Sequence, residues 1–166
     1  TKSLVKKTTI PVLIVPENVE FKKPSHIVMG IDMDPETSPS TLTLLKEIGE
    51  KFFAKISVIN VVGEGFEEDD KLRFQPPVNT EEIKHMRPVF EFTTGDDIAE
   101  TIEGFAETHA ADLLAVIPHR HSFAERLVKD STTKELLLKT HVPLLVLPQQ
   151  KASSLATTGA ATTEHN

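Results

Sequence analysis

The sequence predicts an α/β protein with a doubly wound, mostly parallel sheet of five strands, helices on both faces, and an extra strand at the N-terminal end. Three observations carry this reading. Short apolar runs alternate along the chain with segments whose apolar residues recur every three or four positions, the pattern of strands joined through helices. The apolar runs are nearly unbroken, which is what strands covered on both faces require. The last part of the pattern also occurs twice. A shift of 132 residues lays Thr1–Pro16 on Thr133–Pro148 without a gap, with identity at positions 1, 2, 4, 7, 8, 11, 13 and 16 and aliphatic exchanges at most of the rest. A match this dense, ending in the same Pro-bounded strand, is the mark of a repeat.

The expected organisation is therefore the end of one domain over residues 1–18, a linker over 19–24, a complete domain of the same kind over 25–149, and a polar, mobile tail over 150–166. The start at Thr, without Met, is what a fragment would show. In the linker, Glu17 to Pro24 is polar and bounded by proline. His26–Ile31 is then a short apolar strand that stops at Asp32. Pro35, Ser38 and Pro39 mark a turn and a helix start, and Leu42, Leu45, Ile48 and Phe52 share one helical face. Ile56–Val62 is β-branched and reads as the second strand. Residues 63–80, with Glu64, Glu67, Glu68, Asp69 and Asp70, read as a solvated loop. A short helix at Thr80–Met86 and an edge strand at Val89–Thr93 follow. Ile98, Ile102, Phe105 and His109 define the face of a helix that opens acidic with Asp96 and Asp97, as the helix dipole favours. Leu113–Ile117 is a buried strand. Ser122-x-x-Glu125 and Thr132-x-x-Glu135 have the form of capping boxes, so two helices precede the last strand, Val142–Leu147.

Composition narrows the function classes. A net charge of −7 gives no electrostatic reason to bind nucleic acid or an anionic membrane. No apolar run reaches the ~20 residues of a membrane span. The absence of cysteine excludes a disulfide framework, thiolate zinc sites and a cysteine nucleophile, and fits a reducing compartment. No Ser-His-Asp grouping is visible, and no catalytic residue is assigned.

The opening strand ending in Asp32, Gly95 with the helix leading into Ala111-Asp112-Leu113-Leu114, and the segment from Asp112 through Ser131 to Val142–Leu147 resemble the universal stress protein family over about residues 25–148. The resemblance implies the sheet order 3-2-1-4-5, frequent dimerisation through the last strand, and a cytoplasmic role in stress tolerance as a regulatory or protein-interaction module. One branch of that family binds ATP through a loop of pattern G-x-x-G, nine residues, G-[ST]. Glycines there let the backbone approach phosphate oxygens, and the following helix N-terminus favours the anion. The matching positions here hold Ile117, Arg120 and Asp130, with Ser131 and Thr132 following. All three glycines are replaced. The adenine and ribose end of the family site falls on Asp32 and the backbone near Val61. The better match is the branch without the glycine loop. No cofactor is then expected, and ATP bound by Asp32, Val61, Ile117, Arg120, Asp130, Ser131 and Thr132 is the alternative, with Arg120 as a phosphate ligand.

Two further constellations compete with plain structural readings. His119 and His121, with Asp34 or Asp32 across the strand ends, offer imidazole and carboxylate ligands for a zinc-like ion, or else form a solvated polar loop. Asp32-Met33-Asp34 also resembles the start of the aspartate-nucleophile phosphatases of the haloacid dehalogenase type, with Mg²⁺ and a later Gly95-Asp96 pair. Glu36 departs from that pattern, and the acids at 96 and 97 suit a helix start on their own. His26, His85 and His141 offer no constellation. As for partners, Ile10, Val12 and Ile14 are too apolar for water and need a sheet edge, and Val142, Leu144 and Val146 provide one. A homodimer or a tandem-domain pairing through these strands is expected, without nucleic acid or membrane.

Overall fold

The computed structural model describes residues 10–17, 19–20, 22–30, 39–63, 65–73, 78–95, 97–117 and 141–148. Six strands form one sheet: β1 (Val12–Ile14), β2 (His26–Gly30), β3 (Lys55–Val62), β4 (Val89–Thr94), β5 (Leu113–Val116) and β6 (Leu144–Val146). Their spatial order is β1-β6-β5-β2-β3-β4. All neighbours are parallel except β1, which lies antiparallel to β6. Counted from β2, the five parallel strands have the order 3-2-1-4-5, as the resemblance implies.

The alternation of side chains along each strand divides the core into two layers. Ile27, Met29, Ile56, Val58, Leu113, Ala115, Ile117 and Leu145 point to one face, where Leu42, Leu45 and Ile83 cover them. Val28, Ile59, Leu114, Val116, Leu144 and Val146 point to the other, beneath Ile102 and Ala106. A strand with both faces covered is apolar at most positions, which is why these strands read as nearly continuous runs.

The first covering layer is a 3₁₀ turn, Pro39–Leu42, continuing into helix α1 (Thr43–Phe52), together with a second 3₁₀ stretch, Val78–Met86. Helix α1 ends in a paired reverse bond: Phe53 N–H donates to the Glu50 carbonyl and Ala54 N–H to the Gly49 carbonyl. This closure needs a left-handed residue, and Phe53 takes it at φ 55° while 94% exposed. A β-carbon in that conformation costs about 1 kcal/mol, and an exposed ring recovers little of it. Phe53→Gly is therefore expected to stabilise the chain by about 0.5–1 kcal/mol, read as a higher urea midpoint.

Residues 68–73 depart from the solvated loop expected there and form a short helix, α2 (Glu68–Arg73). The acidic residues themselves explain it. Asp70 reaches back to accept the Glu67 N–H at 3.0 Å, half of a capping box, and Lys71 and Arg73 lie in the last turn, where the dipole favours cations. Phe66 stacks on Phe92 of β4, ring centroids 5.0 Å apart. The 80–86 segment is of the tighter 3₁₀ type.

The second layer is helix α3 (Ile98–Thr108). Asp97 caps it, accepting N–H bonds from Ala99 at 2.8 Å and Glu100 at 3.1 Å. Gly30 lets this helix sit close to the sheet, since a β-carbon there would lie 2.8 Å from Ile102 Cδ1. The two capping-box segments at 122–135 lie outside the described residues. Among the described residues, no helix is long and apolar enough to cross a membrane.

Candidate functional site

In parallel sheets ligands collect beyond the carboxyl ends of the strands, at the point where successive strands depart to opposite sides. Here that point lies between β2 and β5, which run in register with Gly30 opposite Val116. The chain turns from β2 toward β3 and β4 on one side, and from β5 toward β6 on the other. The ends of β2 and β5 are thus adjacent, and the sequence leads from them into Asp32 and into the 118–131 segment. Asp32, Asp34, His119, Arg120, His121, Asp130, Ser131 and Thr132 themselves lie outside the described residues. Among the described residues, no group of three or more His, Asp or Glu side chains is placed to hold a metal ion.

Two of the expected site positions are described. Val61 is half-buried and packs against the α3-side core. Ile117 is 2% exposed and belongs to the core layer beneath α1. The position matched to the first glycine of that phosphate loop is thus a packed core residue.

One polar residue at this end gave no signal in the sequence reading. Asn60, in the carboxyl half of β3 and opposite Phe92 of β4, is 7% exposed. Among the described residues its amide has no hydrogen-bond partner. It lies on the same sheet face as Val58. A buried amide without a partner costs about 1–3 kcal/mol, so native structures usually give it a ligand or water. The clue was available: Asn60 is the one amide in a run that is β-branched apart from it and Ser57.

The amino ends of the strands carry a second polar cluster, built on the hydrogen bonds of Asp112 and His26. Asp112 Oδ2 accepts three hydrogen bonds, from Ser25 N–H at 2.8 Å, Ser25 Oγ–H at 2.6 Å and His26 N–H at 3.1 Å. Burial pushes the Asp112 carboxyl up, but these donors and the Lys22 charge outweigh it and hold the group below its ordinary value. The His26 ring bridges onward. Nδ1–H donates to the His109 carbonyl at 3.0 Å, and Nε2 lies 3.0 Å from the hydroxyl of the fully buried Ser57. A carbonyl only accepts, so Nδ1 carries the proton and, in the neutral ring, Nε2 accepts from Ser57. His109 stacks on Phe105 and donates from Nδ1 to its carbonyl at 2.9 Å. The cluster joins β2, β3 and β5 at the end of the sheet opposite the ligand crevice, and its geometry is that of a clamp. Local sequence reasoning missed it because its hydrogen bonds between strands join residues 31 to 87 apart.

The family model for the universal stress protein family matches residues 24–148, more than half of the chain. The chain belongs to the universal stress protein family. Among solved structures, a universal stress protein from Archaeoglobus fulgidus aligns with TM-score 0.62 and 16% identity, covering 89% of this chain and 53% of that one. This chain thus spans about half the length of that relative. A universal stress protein in complex with cAMP aligns with TM-score 0.52 and 17% identity, over 79% of this chain and all of the other. A further structure, of a universal stress protein from Archaeoglobus fulgidus in complex with dAMP, aligns with TM-score 0.51 and 15% identity, over 76% of this chain and 99% of the other. At these identities the likeness is one of fold. No curated protein sequence matches the chain significantly.

Proposed function

We propose that this universal stress domain is a regulatory, protein-interacting module of the stress response and does not run on ATP binding. The observation that supports this reading is Ile117, fixed in the core at the position where the ATP-binding branch of the family opens its phosphate loop. Arg120 and Asp130 stand at the other two glycine positions, and an aspartate at the phosphate end repels a polyanion. Glycines at such positions let backbone N–H groups approach a triphosphate closely, and this sequence lacks all three.

A second reading has an observation of its own. Asn60 is a buried amide without a described partner at the crevice end of β3, and two relatives of this fold are solved with cAMP and dAMP. A mononucleotide relies less on a phosphate cradle than ATP does, so an adenine monophosphate is the ligand of this second reading. Melting curves separate the two. A ligand present at 100 times its dissociation constant stabilises by about 2.7 kcal/mol, which for a chain of this size raises Tm by roughly 5–10 °C. ATP with Mg²⁺ is expected to raise Tm by less than about 1 °C. If the second reading holds, AMP or cAMP raises it by several degrees, and Asn60→Leu abolishes that rise while raising the melting temperature of the unliganded chain. A shift with ATP as large as that with AMP would refute the ATP-independent module.

A further inference from the structure

The end of the sheet opposite the ligand crevice carries an aromatic side chain that the fold does not use. Among the described residues, three non-glycine residues take a positive φ: Phe53 at 55°, Arg87 at 53° and Ala110 at 49°. They stand two or three residues before β3, β4 and β5 respectively, where the chain leaves a helical segment and turns back into the sheet. Glycine or asparagine is the ordinary residue for such a turn, because a β-carbon there is costly. Phe53 carries a whole aromatic ring instead, and at 94% exposure that ring adds nothing to the core. A residue that breaks two local rules without a gain inside the domain points to a role outside it.

Charge supplies a second, independent observation. Lys51 and Lys55 flank Phe53 in the chain. Val89 of β4 stands opposite Ser57 of β3, and Arg87 and Lys55 each lie two residues earlier, on the same rim. His85 donates to Glu50 Oε1 at 2.7 Å and ties the end of the second 3₁₀ stretch to the last turn of α1. On the other side Lys55 N–H donates to the Ser25 carbonyl at 2.8 Å, and Lys55 stands opposite His26, which brings in Lys23. Lys23, Lys51, Lys55 and Arg87 are all exposed. Among the described residues none of the four has an ion-pair partner. On this rim Glu50 is engaged by His85, Glu81 by Lys84, and Asp112 by Ser25 and His26. A chain of net charge −7 thus gathers free cations around an exposed ring.

We propose that this rim is a docking surface for an acidic segment of a partner protein, with Phe53 as the anchor for an apolar side chain that the acidic residues flank. The proposal rests on the reading of the chain as a protein-interacting module and gives its partner a chemistry. The cations decide the sign, since they repel a basic ligand that a bare ring could otherwise hold. The ring decides where the affinity lies: an aromatic anchor carries most of the energy of a small interface, while the charges around it set orientation and association rate. The negative charge of the whole chain opposes a long polyanion such as nucleic acid. A short peptide feels chiefly the charges within about 8–10 Å, which are those of the rim.

Fluorescence anisotropy with the full chain tests this. The probe is a fluorescein-labelled peptide with a pair of leucines between short runs of glutamate. One control peptide has serines for the leucines, the other lysines for the glutamates. The probe is expected to bind saturably with a dissociation constant below about 1 mM at low salt, and several-fold more weakly at about 0.3 M salt, while neither control binds. Phe53→Gly is expected to weaken binding by about tenfold or more while raising the urea midpoint, opposite effects that a purely structural residue does not give. Lys55→Glu with Arg87→Glu is expected to weaken it by about tenfold and to remove the salt dependence. Equal binding of the leucine and serine peptides, unchanged affinity in Phe53→Gly, or no saturable binding of the probe would overturn the proposal. A salt-sensitive rise in the mass of the chain alone, seen by light scattering and lost in Phe53→Gly, would overturn the separate partner and assign the surface to a second copy. Melting curves with ATP on the same samples keep the two readings apart. A chain that binds both ATP and the probe refutes the ATP-independent module and leaves the surface standing, whereas one that binds neither overturns the surface alone.

Discussion

Asp112→Ala is expected to lower stability at pH 7 by about 2–3 kcal/mol, because three donors lose one charged acceptor together. The Asp112 carboxylate ties the first residues of β2 to the start of β5, the two central strands of the domain. Water reaches this half-exposed site, so the loss falls short of three full charged hydrogen bonds. In urea the midpoint should fall with an unchanged slope, which marks a change in stability without a change in the surface exposed on unfolding. The pH dependence has a definite sign. The folded-state pKa lies below the ordinary value of 3.8, so the contribution is complete above the unfolded value and is lost as pH falls through the folded one. The difference between wild type and Asp112→Ala should therefore be constant from about pH 5 to 8 and shrink below about pH 4. Asp112→Asn keeps an oxygen acceptor and should lose less, without this acid dependence. Ser25→Ala combined with Asp112→Ala should cost less than the two changes summed, because the hydroxyl and the carboxylate are direct partners.

Ile117→Gly is expected to cost about 3–5 kcal/mol, from the cavity left by a buried aliphatic side chain and the added freedom of glycine in the unfolded chain. Ile117 is 2% exposed among Leu113, Ala115 and Leu145. This couples binding to stability. The variant with glycine at 117, 120 and 130 should bind ATP more tightly than the parent and unfold at a lower urea concentration. A chain that tolerates Ile117→Gly without loss would show that this side chain contributes little to the core, and would remove the main support for an ATP-independent module. A stable glycine variant that still fails to bind ATP would mean that the loop positions are wrongly matched.

The fold was legible because its strands are covered on both faces, and this leaves nearly continuous apolar runs at Ile27–Gly30, Ile56–Val62 and Leu113–Ile117. The extra strand was legible because Leu13 and Pro11 repeat Leu145 and Pro143 at a fixed offset. The α2 turn was not, since its signal is a single reach-back from Asp70 to the Glu67 N–H inside an acidic run. The Asp112 clamp was equally invisible: Ser25, His26, Ser57 and His109 are unremarkable in sequence and meet only once the strands are in parallel register. Asn60 lies between these cases. Its placement in a strand could be read, but its burial without a side-chain partner among the described residues follows from the packing around it.

The most direct test of the central claim is a calorimetric titration of ATP with Mg²⁺ into the full chain at neutral pH. The full chain should give no saturable heat below about 1 mM, an affinity no better than about −4 kcal/mol. Saturable one-to-one binding with a micromolar dissociation constant would contradict it and make the protein a nucleotide-dependent member of its family.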